Sequence, residues 1–336
     1  MPRRSRIDAS GALHHIMVRG IEGGKVFRGN ADRNRFLERL GGILQDTQTP
    51  CYAWALIPNH FHLLLRSGSI PISTVMRRLL TGYALWFNRS HNRHGHLFQN
   101  RFKSILCQEE PYFLELVRYI HLNPIRGHLV EDMDGLEQYP YSGHSALMGT
   151  VKIPWQDTQW VLGMFGEKLG SAKRAYRTFV QKGVSQGSRP DLTGGGLLRS
   201  AGGWEGVKAL REEKIHQRND ERMLGDGDFV ERVLASAEEA MERRYALLAR
   251  GVDLSFIASR VSAMLGVKSE DVWTQGKSRR IVEARSLLCH WAVKELGMTM
   301  SSLARKLRLS IPSVSDSVVR GQRIAEARGC RLLTET

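Results

Sequence analysis

The chain has 336 residues, with 49 Lys and Arg against 34 Asp and Glu, and a formal net charge of +15. With 42% hydrophobic and 25% charged residues, the composition is that of a soluble globular protein of two or three domains, which excludes wholesale disorder. Apolar runs such as Leu63–Leu65 and Leu287–Leu288 are broken by Arg or His well short of the roughly 18 residues that a membrane span needs. The basic start is followed by Ile7, Asp8, Ala9 and Ser10 rather than an apolar stretch, so no secretory signal is read and a cytoplasmic location is expected. Cys51, Cys107, Cys289 and Cys330 are widely spaced, which suggests reduced thiols and neither a zinc knuckle nor a disulfide framework. The positive excess attracts polyanions, and with no lipid-anchor motif nucleic acid is the expected one. Charge does not separate DNA from RNA.

In chain order, residues 12–20 read as a strand ended by Gly20, and 32–48 as a helix with Phe36, Leu37, Leu40 and Leu44 at helical spacing. Residues 51–57 and 60–66 are two β-prone runs joined by the turn dipeptide Pro58-Asn59, which predicts a hairpin. Residues 73–92 carry Val75, Leu79, Leu80, Tyr83, Ala84 and Phe87 along one helical face, and 98–107 read as a fourth strand. Glu109, Glu110 and Pro111 open a further helix that runs to Pro124. The order β-α-β-β-α-β-α favours an α+β domain of ferredoxin-like plan, an antiparallel sheet with helices, over residues 1–148. A helical middle region is expected over 149–250, with helix from Trp155 to Val184 and a Gly/Ser-rich linker at 185–203. After one amphipathic helix over 228–250, residues 251–336 read as an all-α region of four or five short helices. No P-loop or dinucleotide-binding glycine motif occurs, so no nucleotide cofactor is expected.

The sharpest local signal is Pro58-Asn59-His60-Phe61-His62-Leu63-Leu64-Leu65. Residues two apart on a strand share a face, so His60 and His62 point one way while Phe61 and Leu63 point the other. Two imidazoles so placed can chelate one divalent ion; the same spacing also suits a plain polar strand face. Tyr119 and Asn123 are four apart on the helix before Pro124 and share one of its faces, whereas His121 points elsewhere. A tyrosine in that place equally suits half-buried packing. Arg101 and Lys103 alternate beside Phe98 and Phe102, and Arg77, Arg78, Arg89 and Arg93 cluster with Tyr83 and Trp86. Cations interleaved with rings suit single-stranded nucleic acid, and equally a solvated face over a core. His91, His94 and His96 are dense but irregularly spaced, and are read as a solvated or phosphate-facing loop cluster.

These segments resemble the REP-associated tyrosine transposases, which are single-tyrosine HUH transposases, HUH being His, a hydrophobic residue, His. The resemblance runs in order through Pro2–Ile7, Val18-Arg19-Gly20, Phe27-Arg28, Asp32–Leu37, Pro58–Leu64, His96–Lys103 and Arg118–Arg126, over about residues 1–148. It implies that His60 and His62 bind a catalytic divalent metal, Mg²⁺ or Mn²⁺, that Asn123 stands where a third, polar ligand is expected, and that Tyr119 is the nucleophile. It implies a DNA substrate, single-stranded beside a short imperfect hairpin, a homodimer, and a bacterial, nucleoid-associated location. Gly127-His128 replaces the small-residue pair more usual after Pro-x-Arg. An unperturbed tyrosine, with a pKa near ~10, is a poor nucleophile at neutral pH and needs a cation to polarise the phosphodiester and neutralise the leaving 3′ oxygen. Attack would give a 5′-phosphotyrosine and a free 3′-OH, and reversal onto another strand would need no ATP. Imidazole nitrogens are soft ligands for Mg²⁺, which makes Mn²⁺ chemically as reasonable. Two rivals are a catalytically retired DNA-binding regulator and a nicking enzyme acting in replication or repair.

Between residues 277 and 308 there are eight Lys or Arg (Lys277, Arg279, Arg280, Arg285, Lys294, Arg305, Lys306, Arg308) against two Glu. Residues 299–307 and 310–315 have the rhythm of a helix-turn-helix, with Ser310, Ser313 and Ser315 expected to face phosphates or bases. Residues 253–325, with Val272–Arg285 as the best-matched stretch, are similar to the DNA-binding domain of the bacterial initiator DnaA. That domain's Arg-Asp-His-Ser-Thr recognition pattern is missing here.

Overall fold

The computed structural model describes residues 11–333 except 69, 188, 194–219, 221, 275, 277 and 299. The segment 194–203 of the expected linker and the opening residues 2–7 lie outside the described residues. The chain divides into two compact units, Met1–Val233 and Leu234–Thr336.

The first unit is built on a mixed α+β core. Strand β1 (Leu13–Arg19), helix α1 (Asn30–Thr47), β2 (Cys51–Ile57), β3 (His60–Arg66), α2 (Ile72–Ser90), β4 (Lys103–Cys107) and α3 (Glu109–His121) follow in the predicted order. The sheet order is β2-β3-β1-β4, with all three pairings antiparallel, which is the ferredoxin-like arrangement. Phe61 points to the layer of α1 and α2, where its ring centroid lies 4.7 Å from that of Phe36, and Phe36 meets Tyr83 edge-on at 5.1 Å. Leu64, two residues beyond His62, belongs to the opposite core, shared with Phe113, Leu116, Val117 and Ile120 of α3. Alternation along β3 therefore assigns one face to α1 and α2 and the other, with the histidines, to α3.

The fourth strand is shorter than its predicted 98–107, because before Lys103 the chain only touches β1 through an isolated bridge from Phe98 to Gly20. A fifth strand, β5 (Met223–Leu224), adds parallel to β4 and was not predicted. Two residues carry no periodicity to read.

After α3 come the short helices α4 (Asn123–Arg126), α5 (Met133–Gln138), α6 (Gly143–Met148) and α7 (Thr158–Gly163), then α8 (Leu169–Lys182) and α9 (Pro190–Thr193). The predicted helix from 155 to 184 is thus two helices. Helix α8 is tied to α3 by the fully buried Tyr176, whose hydroxyl lies 2.7 Å from His121 Nδ1 and 2.8 Å from His144 Nδ1. One phenol carries one proton, so Tyr176 donates to one ring and accepts the Nδ1–H of the other. Both rings are neutral, since burial pushes His144 down to about 3 and His121 well below the usual histidine range. Tyr176→Phe removes the partner of both nitrogens, and urea denaturation is expected to show a loss of about 1–3 kcal/mol.

In the second unit, helices α11 (Leu254–Leu265), α12 (Ser269–Val272), α13 (Arg279–Lys294), α14 (Met300–Leu307) and α15 (Ile311–Arg328) follow α10 (Gly227–Ala249). Its core includes Leu287, Leu288, Trp291, Leu303, Val314 and Val318. Helices α13 and α15 cross so closely at Gly321 that a Cβ there would lie 2.0 Å from the Ser286 carbonyl oxygen. Backbone cannot yield as a side chain end can. Gly321→Ala is therefore expected to destabilise this unit by about 1–3 kcal/mol, read as a lowered transition in scanning calorimetry. Among the described residues no helix is long and apolar enough to cross a membrane.

Candidate active site

The hairpin turn that presents the histidines is fixed from outside. Pro58 O accepts from Val26 and Phe27 N–H at 2.8 and 3.0 Å, and Asn59 O accepts from Gly20 N–H at 2.9 Å. At the other end of β3, Arg66 Nη1 donates to Glu109 Oε2 at 2.8 Å, which pins the first turn of α3 to the same strand. Helix and strand are thereby held in one register.

His60 and His62 lie side by side with ring centroids 5.2 Å apart. The Tyr119 ring meets His62 edge-on at 5.9 Å. His60 Nδ1 lies 2.7 Å from Asn59 Oδ1. An amide oxygen only accepts, so His60 carries its proton on Nδ1 and keeps the Nε2 lone pair open. His62 Nδ1 lies 3.0 Å from Nε2 of His15, which is opposite Leu64 on the β1–β3 pairing and so is the diagonal neighbour of His62 on the same sheet face. Both imidazoles are neutral: burial, then the charge of Arg19, pushes His60 down to about 4, and burial, His15, His60 and Arg19 push His62 well below the usual range.

Asn123, at the start of α4, donates Nδ2 to the carbonyls of Tyr119 at 2.8 Å and Ile120 at 3.2 Å. With the amide nitrogen closing the end of α3, a cation in the cavity would meet this side chain through Oδ1. Two neutral imidazoles with their Nδ1 atoms engaged, plus one amide oxygen, form a mixed nitrogen and oxygen donor set that could hold a divalent cation with positions left open. Among the described residues no cluster of three or more His, Cys, Asp or Glu side chains is arranged to hold an ion.

His60, His62, Tyr119 and Asn123 all line one cavity of about 790 Å³. Its wall also includes Arg19, Arg101, Lys103, Arg126 and Arg189, so the approach to the tyrosine is strongly cationic. The Arg126 guanidinium sits 5.0 Å from the centre of the Tyr119 ring, where it favours negative charge developing on the phenol. Sequence reasoning missed Arg126, Arg189 and His15 as members of the site. Arg126 lay within the resemblance, whereas Arg189 falls in the stretch expected as linker and is oriented by Glu115 and Asp191, each 2.7 Å away.

Other expected residues fall elsewhere. Arg101 and Lys103 reach the cavity; Arg77 is exposed on α2 and Arg78 pairs with Asp46 at 2.8 Å, and neither lines it. Tyr83 and Phe102 are core residues and present no stacking face. His91 is bound by Asp32 at 2.8 Å, while His94 and His96 are exposed.

In the second unit Arg280, Arg305 and Lys306 are exposed, and Arg279 is exposed beside Glu283 at 3.1 Å. Lys277 lies outside the described residues. Arg285 is half-buried and donates to the Thr274 carbonyl at 2.6 Å, a role internal to the fold. Ser313 is exposed and shares the α15 N-terminus with Ser310, whose Oγ accepts its N–H. Ser315 is a correction: it is 7% exposed, because α15 packs against both α13 and α14 and buries a face wider than Val314 and Val318 alone.

A ferredoxin-like domain with a histidine pair on its sheet, a helix-borne tyrosine facing it and a cationic cavity between them is the class that this geometry defines. Residues 9–123 match the family described as "Transposase IS200 like", a span that contains all four central residues. Among solved structures, a REP-associated tyrosine transposase bound to a REP hairpin is similar at 18% identity, over 46% of this chain and 91% of its own, with a TM-score of 0.37. Among curated proteins nothing matches the chain.

The buried imidazoles make stability pH-dependent. An unfolded histidine takes a proton below about 6.5, whereas His60 resists until about 4 and His144 until about 3. The unfolded state therefore binds more protons in that window, and stability is full above pH 6.5 and falls as the pH drops towards 4. Denaturation of the metal-free protein at pH 7.5 and 5 is expected to give a lower midpoint at pH 5; equal midpoints would mean that these rings are accessible.

Proposed function

We propose that the chain is a metal-dependent DNA strand transferase. It cleaves and rejoins single-stranded DNA beside hairpin repeats through a 5′-phosphotyrosine at Tyr119. The observation that carries this reading is the Tyr119 ring set edge-on against His62 inside a cationic cavity, with the Nδ1 atoms of both histidines engaged. The family match over residues 9–123 and the motif resemblance support it.

His60 and His62 would hold a divalent cation, Mg²⁺ or Mn²⁺, through Nε2 and Asn123 through Oδ1. When bound, the ion supplies charge neutralisation at the phosphodiester and the leaving oxygen. Arg101, Lys103 and Arg189 hold the flanking phosphates. The Tyr119 oxygen attacks phosphorus as the bond to the 3′ oxygen breaks; the phenol proton passes to solvent and the 3′ oxygen takes one up. Arg126 favours the phenolate meanwhile. Attack of another 3′-OH reverses these steps, so the bond energy is conserved in the tyrosine ester.

In this reading the first unit is catalytic, with residues 1–148 carrying the histidines and the tyrosine and Arg189 added from beyond them, and 251–336 form a DnaA-like DNA-binding domain. There α14 and α15 act as a helix-turn-helix, with Arg305 and Lys306 on phosphates. The partner molecules are hairpin DNA and a second copy of the chain.

Incubation with end-labelled single-stranded oligonucleotides carrying palindromes, with Mg²⁺ or Mn²⁺, is expected to give a protease-sensitive labelled adduct on a denaturing gel. EDTA and Tyr119→Phe should each abolish it, while Tyr119→Phe should still bind the oligonucleotide. An adduct with Tyr119→Phe would refute the nucleophile. Metal-independent binding without any adduct would favour a DNA-binding regulator instead.

A further inference from the structure

We infer that His15 is a positioning residue: it receives the Nδ1–H of His62 and so turns the Nε2 lone pair of His62 into the cavity. This rests on the reading of His62 as a metal ligand.

His15 belongs to β1 and is fully buried, with its Nε2 at 3.0 Å from His62 Nδ1 and the two rings stacked at 5.2 Å. It does not line the cavity, whereas His60 and His62 do. Its place is behind the pair. A neutral imidazole has one N–H and one lone pair, so only two arrangements satisfy this contact. Either His62 donates from Nδ1 to His15 and keeps a bare Nε2, or His15 donates from Nε2 and His62 carries its proton on Nε2, where it could not ligate.

The neighbouring histidine decides between them by analogy within the site. His60 Nδ1 faces Asn59 Oδ1, which can only accept, and this leaves His60 with a bare Nε2. A chelating pair needs a bare nitrogen facing the cavity on each ring; with Nδ1 of His62 held by His15 that atom is Nε2, and His15 is the group that supplies the acceptor for the Nδ1–H. To do so His15 holds its own proton on Nδ1. The same side chain meets Tyr119 edge-on at 5.9 Å, so it braces the ligand and the nucleophile's ring together. Outer partners of this kind fix the tautomer and orientation of metal-bound histidine.

The test is a two-bond ¹H–¹⁵N correlation spectrum of the metal-free, histidine-labelled protein, which reads the tautomer of each ring directly. His62 is expected to be protonated at Nδ1 and bare at Nε2, and His15 bare at Nε2. His15→Leu should shift His62 towards the Nε2–H form and weaken Mn²⁺ binding, measured by titration calorimetry, by about 10- to 100-fold. His15→Gln, whose amide oxygen reaches the same atom, should restore the Nδ1–H form and most of the affinity. If His15→Leu does not fold, the wild-type tautomer and His15→Gln decide. A wild-type His62 protonated at Nε2, or an unchanged tautomer in His15→Leu, would overturn the inference. So would ring nitrogens of His15 that shift on Mg²⁺ addition as much as those of His60, which would make His15 a ligand itself. Expected tautomers and Mn²⁺ affinities without any DNA adduct would support the positioning role and count against strand transfer alone.

Discussion

Helix α3 packs across the sheet face that carries His60 and His62, and the rest of the site depends on that contact. Phe113, Leu116, Val117 and Ile120 are almost completely buried against the sheet. Each fully buried side chain of this size contributes about 1.5–3 kcal/mol, so the helix is held by several such terms while Tyr119 stays half-buried at the cavity edge. Arg66 and Glu109 fix where the helix begins, and Asn123 closes where it ends. The tyrosine's position is set by groups on both sides of it, none of which faces the cavity except Asn123.

Electrostatics and burial act in the same sense here. Cationic side chains around the cavity raise the local potential for a phosphodiester. Burial opposes protonation of both imidazoles most, and the charge of Arg19 opposes it further. A site that needs neutral, lone-pair-bearing histidines and an anionic substrate gains both from one charge distribution. In water the two requirements would be separate, since an exposed histidine near neutral pH is partly protonated.

The parts of this site that were legible in the sequence are those governed by a fixed period. Strand alternation put His60 and His62 on one face with Phe61 on the other, and helical spacing put Tyr119 over Asn123. The four-strand order followed from the turn at Pro58-Asn59 and the helices between strands. What was illegible depends on contacts between distant segments. Either His14 or His15 could have faced α3, and only the β1–β3 register selects His15. Arg189 lies in a polar stretch that looks like linker until Glu115 orders its side chain. In the second unit Ser315 follows the rhythm of a recognition helix, but a helix with neighbours on two sides buries more than one stripe. Arg285 likewise counts as charge in the sequence and spends it on a backbone carbonyl.

The two nitrogens of each histidine divide the work of folding and of chemistry. Nδ1 is the atom that the protein engages, through Asn59 for His60 and through His15 for His62, and both contacts arise from the turn and the strand pairing that build the sheet. Nε2 is then the atom left to the cavity. Because the first set of contacts is part of the fold, the second is oriented in advance, and in the proposed reaction the entropy of orienting the rings would be spent during folding rather than at the chemical step. Buried polar groups are costly unless paired, and the contact between His15 Nε2 and His62 Nδ1 pairs one buried nitrogen of each ring while the fold forms.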